Sequence, residues 1–250
     1  MVMQGKSKWL VVCLLLMLGS SAAWSQVRPE VQVAFMRFPG YADLDESGQA
    51  AGKAVDLIDR LVGEAGYDAK IRILPAARIW LGLETGDIHI WPGLLNKPGQ
   101  AEHTLLTERD LGQVKINLYY HPDQPAPEWP QGLRGKSLIM ITNFTYTSDL
   151  KKMLTDPQLE LTLLESNSHR GALQMLLRKR GDFLLDYGAQ VDVVKQELGV
   201  DALPFIQVTE QPMRLVLSRH TDFAGQLRED LDAAFDRLQA QGVELDVSLQ

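Results

Sequence analysis

Between Val31 and Gln241 short apolar runs of strand length alternate with longer stretches in which apolar residues recur at helical spacing. This alternation is the strongest constraint on the fold, because strands separated by helices of about 10–20 residues build α/β architectures with mostly parallel pairing. Val31–Phe35 reads as a strand closed by the turn Phe38-Pro39-Gly40-Tyr41. Val55, Ile58, Leu61, Val62 and Ala65 follow at helical spacing before Gly66, a residue suited to end a helix. Ile71–Leu74 is the next expected strand, Pro75 a first-turn residue for a helix over Ala76–Thr85, and Ile88–Trp91 a further strand. After the strand Val114–Tyr120, the Pro-rich stretch from His121 to Pro130 is the expected crossover between two lobes.

A second series repeats the pattern. Strands are expected at Ser137–Thr142, Leu159–Leu164, Phe183–Leu185, Phe205–Val208 and Met213–Leu217. Helices are expected over Arg170–Arg180, Ala189–Leu198 and Thr221–Gln241, the last with Phe223, Leu227, Leu231, Phe235 and Leu238 on one face.

The first 25 residues read differently. Lys6 and Lys8 precede a ten-residue apolar run, Trp9–Leu18, and a small-residue stretch from Gly19 to Ala23. This is the layout of a secretory signal peptide, with cleavage expected after Ser25. The run is shorter than the roughly 20 residues that span a bilayer. The sole cysteine, Cys13, lies inside it, so the exported chain needs a full hydrophobic core in place of disulfides. Loss of two lysines takes the formal charge from −7 to −9, 23 basic against 32 acidic residues. That balance argues against a nucleic-acid or anionic-membrane partner. The expected compartment is the periplasm.

Catalytic and metal motifs fail one by one. The five histidines, His89, His103, His121, His169 and His220, show no ligand spacing, and there is no HExxH or GxSxG. Gly135-Lys136-Ser137 precedes a strand and lacks the first glycine of a phosphate-binding loop. Ser148-x-x-Lys151 matches a serine–lysine pair, but Ser148 reads better as a helix cap. Asp43, Asp45, Ser47 and Gly48 follow a calcium-loop pattern that Ala54 leaves open where a glutamate should close it, so a polar turn is favoured. No cofactor is implied.

The stretch Gly52-Lys53-Ala54-Val55-Asp56-Leu57 through Gly66 resembles the G-x-x-V-D-L segment of bacterial extracellular solute-binding proteins of family 3. Pro75, Arg78, Leu83 and Gly86 resemble its next block, with His89 in place of an aspartate. Leu133-x-Gly135-Lys136 and Arg180-Gly181-Asp182 with Asp186 follow in the family's order, and the resemblance covers residues 29 to 242. It implies a two-lobed fold of the periplasmic-binding-protein type II, closing on a ligand at a hinge. The implied division is 26–120 plus 218–250 for one lobe and 121–217 for the other, with crossings near Tyr119–Asp123 and Leu215–Arg219.

The departures bear on the ligand. Gln100 stands where the family's amino-acid receptors carry a carboxylate-clamping arginine, and Thr142-Asn143-Phe144-Thr145 replaces the family's Gly-Thr. Arg78 is then a candidate for a ligand carboxylate and Asp186 for an ammonium. The expected cleft-lining residues are Tyr41, Arg78, Trp91, Asn143, Thr145 and Asp186. Phe38, Phe144, Tyr146 and Tyr187 are further aromatic candidates for stacking. The leading reading is a monomeric periplasmic receptor for a small polar or amino-acid-like ligand, serving an inner-membrane ABC permease or acting alone as a sensor. Two alternatives stay open. One is a dehydratase-like enzyme on the same fold, using Glu108, Glu165 or Asp186 as an acid. The other is an adaptor without a ligand.

Overall fold

The computed structural model describes residues 28–94, 99–142 and 146–247. The leader with Cys13, and Asn96–Pro98, Asn143, Phe144 and Thr145, lie outside the described residues. Twelve strands and seven α-helices follow one another among those described. They run β1 (Glu30–Phe35), β2 (Asp43–Leu44), β3 (Ala50–Ala51), α1 (Lys53–Glu64), β4 (Asp68–Ile73), α2 (Ala76–Thr85), β5 (Ile90–Gly93), α3 (Gln100–His103), β6 (Thr104–Leu106) and β7 (Gln113–Tyr120). After them come β8 (Ser137–Ile141), α4 (Ser148–Leu154), β9 (Thr162–Ser166), α5 (His169–Leu177), β10 (Phe183–Tyr187), α6 (Gly188–Leu198), β11 (Phe205–Pro212), β12 (Arg214–Ser218) and α7 (Ala224–Ala240).

Two five-stranded sheets organise the α/β fold, in the orders β4-β1-β5-β12-β6 and β11-β7-β10-β8-β9. The pairing is more mixed than the alternating pattern implied. β1 runs parallel to β4 and β5, and β8 to β9 and β10. β12 is antiparallel to β5 and β6, and β7 to β10 and β11. In the first sheet the reversal belongs to β12, which returns after the whole second sheet; in the second it belongs to β7, the strand by which the chain enters.

Each sheet is covered on both faces, so its inner strands are apolar almost throughout. Val31, Val33 and Phe35 of β1 pack under α1 and α7, while Ala34 faces Ile79, Trp80 and Leu83 of α2. In the second sheet Phe183, Leu185 and Tyr187 of β10 meet Leu150 and Leu154 of α4. Leu184 faces Leu173 and Leu176 of α5 and Val191 and Val194 of α6.

Both crossings between the sheets differ from the expected places. The Pro-rich stretch 121–130 joins β7 to β8 within the second sheet. The chain instead passes from β6 to β7 over 107–112, and from β11 to β12 at Met213. The two crossings are hydrogen-bonded to each other. Leu111 N–H donates to the Met213 carbonyl at 2.7 Å, and Met213 N–H donates to the Gly112 carbonyl at 2.9 Å. Arg214 grips Asp110 at 2.6 Å beside them, and Val247 N–H donates to the Leu111 carbonyl at 2.7 Å. Proline content marked a loop, whereas the crossing is marked by backbone pairing that composition does not encode.

Smaller corrections follow the same logic. Thr147, not Ser148, caps α4, its hydroxyl accepting from Leu150 N–H. Leu159 lies in a 3-10 turn, and the strand after it begins at Thr162. The helix expected to reach Arg180 ends at Leu177, with Lys179 at φ 55° just beyond it.

Candidate functional site

A cavity of about 370 Å³ lies between the two sheets and is lined from both. From the first come Phe35 at the end of β1, the turn Phe38–Ala42, and Trp91–Leu94. The second sheet contributes Gln113–Lys115 and Asn117 of β7, Tyr187 at the end of β10, and Phe205 and Gln207 of β11. Gly188, Ala189 and Asp192 of α6 complete that wall, and Met213 lines the cavity from the crossing itself.

Local sequence explains how the aromatic wall is held. Phe38 and Ala42 exchange hydrogen bonds of 2.7 and 2.9 Å across the turn, and Tyr41 N–H donates to the Phe38 carbonyl at 3.0 Å. The Tyr41 carbonyl accepts from Ala54 N–H at the start of α1, beneath Gly52 at φ 126°. A Cβ on Gly52 would stand 2.3 Å from the Tyr41 oxygen, so only glycine permits this approach. Trp91 is buried with its ring 4.3 Å from that of Trp80, at 76°. Phe38 crosses the gap and meets Tyr187 of the second sheet edge-on at 6.0 Å.

The charged groups of the wall are few. Arg37 is engaged by Asp43 at 2.7 Å. Lys115 has Glu210 at 3.9 Å, and Asp192 has Lys195 at 3.3 Å. Lys53 sits 4.6 Å over the Tyr41 ring. Asn117 is buried, donating from Nδ2 to the Tyr119 hydroxyl at 3.1 Å. The wall is therefore largely apolar and aromatic, with Arg37, Lys115 and Asp192 as its charged members.

Of the six expected site residues, Tyr41 and Trp91 line this cavity. Arg78 is exposed on α2 and is not part of the lining, because the buried face of that helix is carried by Ile79, Trp80 and Leu83. Asp186 lies one residue before the lining Tyr187, yet its carboxylate turns into the second sheet's core. There both oxygens lie 2.9 Å from His169 Nδ1, and Oδ1 accepts from Tyr187 N–H at 2.7 Å. Burial pushes the Asp186 carboxyl above the usual carboxylate range, and His169 pulls it part of the way back. Asn143 and Thr145 are outside the described residues. Gln100 is buried at the start of α3 and does not line the cavity.

Among the other candidates Phe38 and Tyr187 line the cavity. Tyr146 is a core residue whose hydroxyl donates to the Leu185 carbonyl at 3.1 Å. Glu108 and Glu165 are exposed and not part of the lining. The Asp43–Gly48 segment is a polar turn. Asp45 Oδ1 accepts from Ser47 N–H, the Ser47 hydroxyl and Gln49 N–H, which closes the turn on itself. Lys115, Asp192 and Phe205 were missed. The face they present depends on strand register and helix phase across the two lobes, which local patterning does not specify.

No family model matches the sequence, and no curated protein does. Solved structures do match. A histidine kinase sensor domain with similarity to periplasmic binding proteins superposes with a TM-score of 0.70 at 16% identity, over 86% of this chain and 92% of that one. A structure from work on glutathione import via the cystine ABC importer of Streptococcus mutans gives 0.70 at 14%, over 87% and 92%. An ancestral amino-acid-binding protein, described as a precursor of cyclohexadienyl dehydratase, gives 0.66 at 14%, over 86% and 91%. Together with two sheets facing one cavity across a paired crossing, these likenesses show that the chain has a two-lobed periplasmic-binding-protein-like fold.

Proposed function

We propose that this chain is an exported receptor that captures a small amino-acid-like solute with an apolar or aromatic side chain by closing its two lobes. The observation that carries the reading is the cavity of about 370 Å³ lined from both sheets. Its size falls within the roughly 300–1,000 Å³ of small-molecule sites. A ligand touching both walls stabilises the closed arrangement by its differential affinity for it. In this reading 28–106 with 214–247 forms one lobe and 113–212 the other, with 107–112 and Met213 as the hinge. Phe38, Tyr41, Trp91 and Tyr187 hold the apolar part of the ligand. Lys115 meets its carboxylate and Asp192 its ammonium, the roles that resemblance suggested for Arg78 and Asp186. The leader routes the chain to the periplasm, where it delivers its ligand to an ABC permease or reports it to a sensor.

The test is calorimetric titration and thermal melting of the protein with the twenty standard amino acids and their carboxamides. Expected is binding of the aromatic and large aliphatic acids, with a rise in Tm of several degrees at a hundredfold excess over Kd. Lys115→Gln should weaken that binding about tenfold, the effect of one charge-assisted hydrogen bond. Absence of any shift across both series overturns the reading.

A further inference from the structure

The cavity floor on the second sheet is long. Its lining on β7 begins at Gln113 beside the crossing, and on β11 it reaches back to Phe205. Gln113 is registered opposite Pro212, and Phe205 opposite Tyr119. The floor thus runs the length of β7 from position 113 to position 119, about 20 Å at the roughly 3.3–3.4 Å rise of a strand. One residue of extended chain covers only about 3.5 Å.

The groups on this floor are ordered along its length. Lys115, registered opposite Glu210, lies near the crossing. Asp192 of α6 lies toward the other end, because Val191 and Val194 on either side of it pack in one cluster with Tyr119 and Leu184. Burial raises the Tyr119 phenol, and the charge of Asp192 raises it further, as that placement requires. Between the two charges sits Asn117, only 5% exposed. Its Nδ2 donates to the Tyr119 hydroxyl at 3.1 Å, while its Oδ1 has no hydrogen-bond partner among the described residues. A buried carbonyl left in that state is costly until a donor reaches it. Gly188 leaves room for the amide, since a Cβ there would stand 3.0 Å from Asn117 Nδ2. At the far end the Phe205 ring is backed by Tyr119 at 5.5 Å, yet 51% of the residue is open to solvent.

We propose that the ligand is longer than a single amino acid, a dipeptide with apolar side chains on both residues that lies along the β7–β11 floor. The proposal rests on the receptor reading above and narrows its ligand class. The carboxylate lies at Lys115, and the C-terminal side chain enters the aromatic wall of Phe38, Tyr41 and Trp91. The peptide N–H donates to Asn117 Oδ1, the ammonium meets Asp192, and the N-terminal side chain covers Phe205. In a free amino acid the two charges sit on one carbon, and no neutral N–H lies between them. One added peptide unit supplies both the missing donor and about 3.5 Å of reach.

The test is calorimetric titration of the protein with leucyl-phenylalanine, glycyl-phenylalanine and phenylalanine. Leucyl-phenylalanine should bind about tenfold tighter than phenylalanine or better, with glycyl-phenylalanine between them. Phe205→Ser should bring the first dipeptide to within twofold of the second. Leu163→Ser, at an exposed apolar position outside the cavity, should leave the order of the three unchanged. Asn117→Leu is made together with Tyr119→Phe, so that neither hydrogen-bonding partner is left alone, and should erase the advantage of glycyl-phenylalanine over phenylalanine. Melting without ligand confirms that each variant folds. Phenylalanine binding as tightly as leucyl-phenylalanine overturns the proposal and leaves the receptor reading standing. So does a Phe205→Ser variant that keeps the parent's preference between the two dipeptides. Binding of none of the three, with no shift across the amino-acid series, overturns both.

Discussion

Both carboxylate oxygens of Asp186 lie 2.9 Å from Nδ1 of His169, and the aspartate has no exposed surface. Behind the cavity wall, then, the second sheet carries an acid that water does not reach.

This pair sets a pH dependence. Burial raises the Asp186 carboxyl, so the folded chain keeps its proton at pH values where the unfolded chain, near 3.9, has released it. Over that window the folded state binds more protons, and stability falls as pH rises until the folded carboxyl has ionised. Urea midpoints of the parent should therefore decline against those of Asp186→Asn from about pH 4 upward. Parallel curves would refute the assignment. His169→Leu leaves the acid without its partner and should cost about 3–5 kcal/mol at pH 7, and less at pH 4.

Phe38 reaches from the first sheet to the edge of the Tyr187 ring. An aromatic pair of this kind is worth about 0.5–1.5 kcal/mol. Phe38→Ala should shift the lobes toward the open arrangement by about 2- to 10-fold. A larger radius of gyration in solution scattering is the readout, and an unchanged one counts against Phe38 as a bridge.

Gly93 is where a single methyl group should disturb the cavity. Its Cβ would lie 2.2 Å from the Trp91 ring, which is already packed at 4.3 Å against Trp80. Gly93→Ala should cost about 1–3 kcal/mol and change the tryptophan emission. Gly225→Ala is the control, since nothing lies within 4 Å of that position on α7. It should be neutral or stabilise by up to about 1 kcal/mol.

Tyr67 governs the alkaline limb. Burial and the neighbouring Asp230, which accepts its hydroxyl at 2.7 Å, push the phenol up to about 12. The unfolded phenol ionises near 10, so between those values the folded state holds the extra proton and stability falls as pH rises. Tyr67→Phe should remove that slope in urea melts taken from pH 9 to 11.5, a range chosen around the roughly 10 of a free phenol.

The alternation of periods was enough to place most elements. Ala76–Thr85 is a helix as its spacing predicts, and α7 buries Leu227, Leu231, Phe235 and Leu238. What depends on the partner across a sheet was not legible. Val114–Tyr120 reads as a strand, but nothing local assigns it to the second sheet or turns Lys115 toward the cavity. The same holds for Asp186, whose commitment to His169 is a tertiary fact. His103 and His220 look scattered in sequence, yet the β6–β12 register brings ring nitrogens of the two to 3.1 Å.

Met213 is both the whole of one crossing and a part of the cavity wall. In the proposed closure the lobes swing on an axle whose surface the guest itself touches. Under that proposal occupancy reaches the pivot by direct contact, and side-chain bulk at this one position should tune the angle of closure as well as the fit.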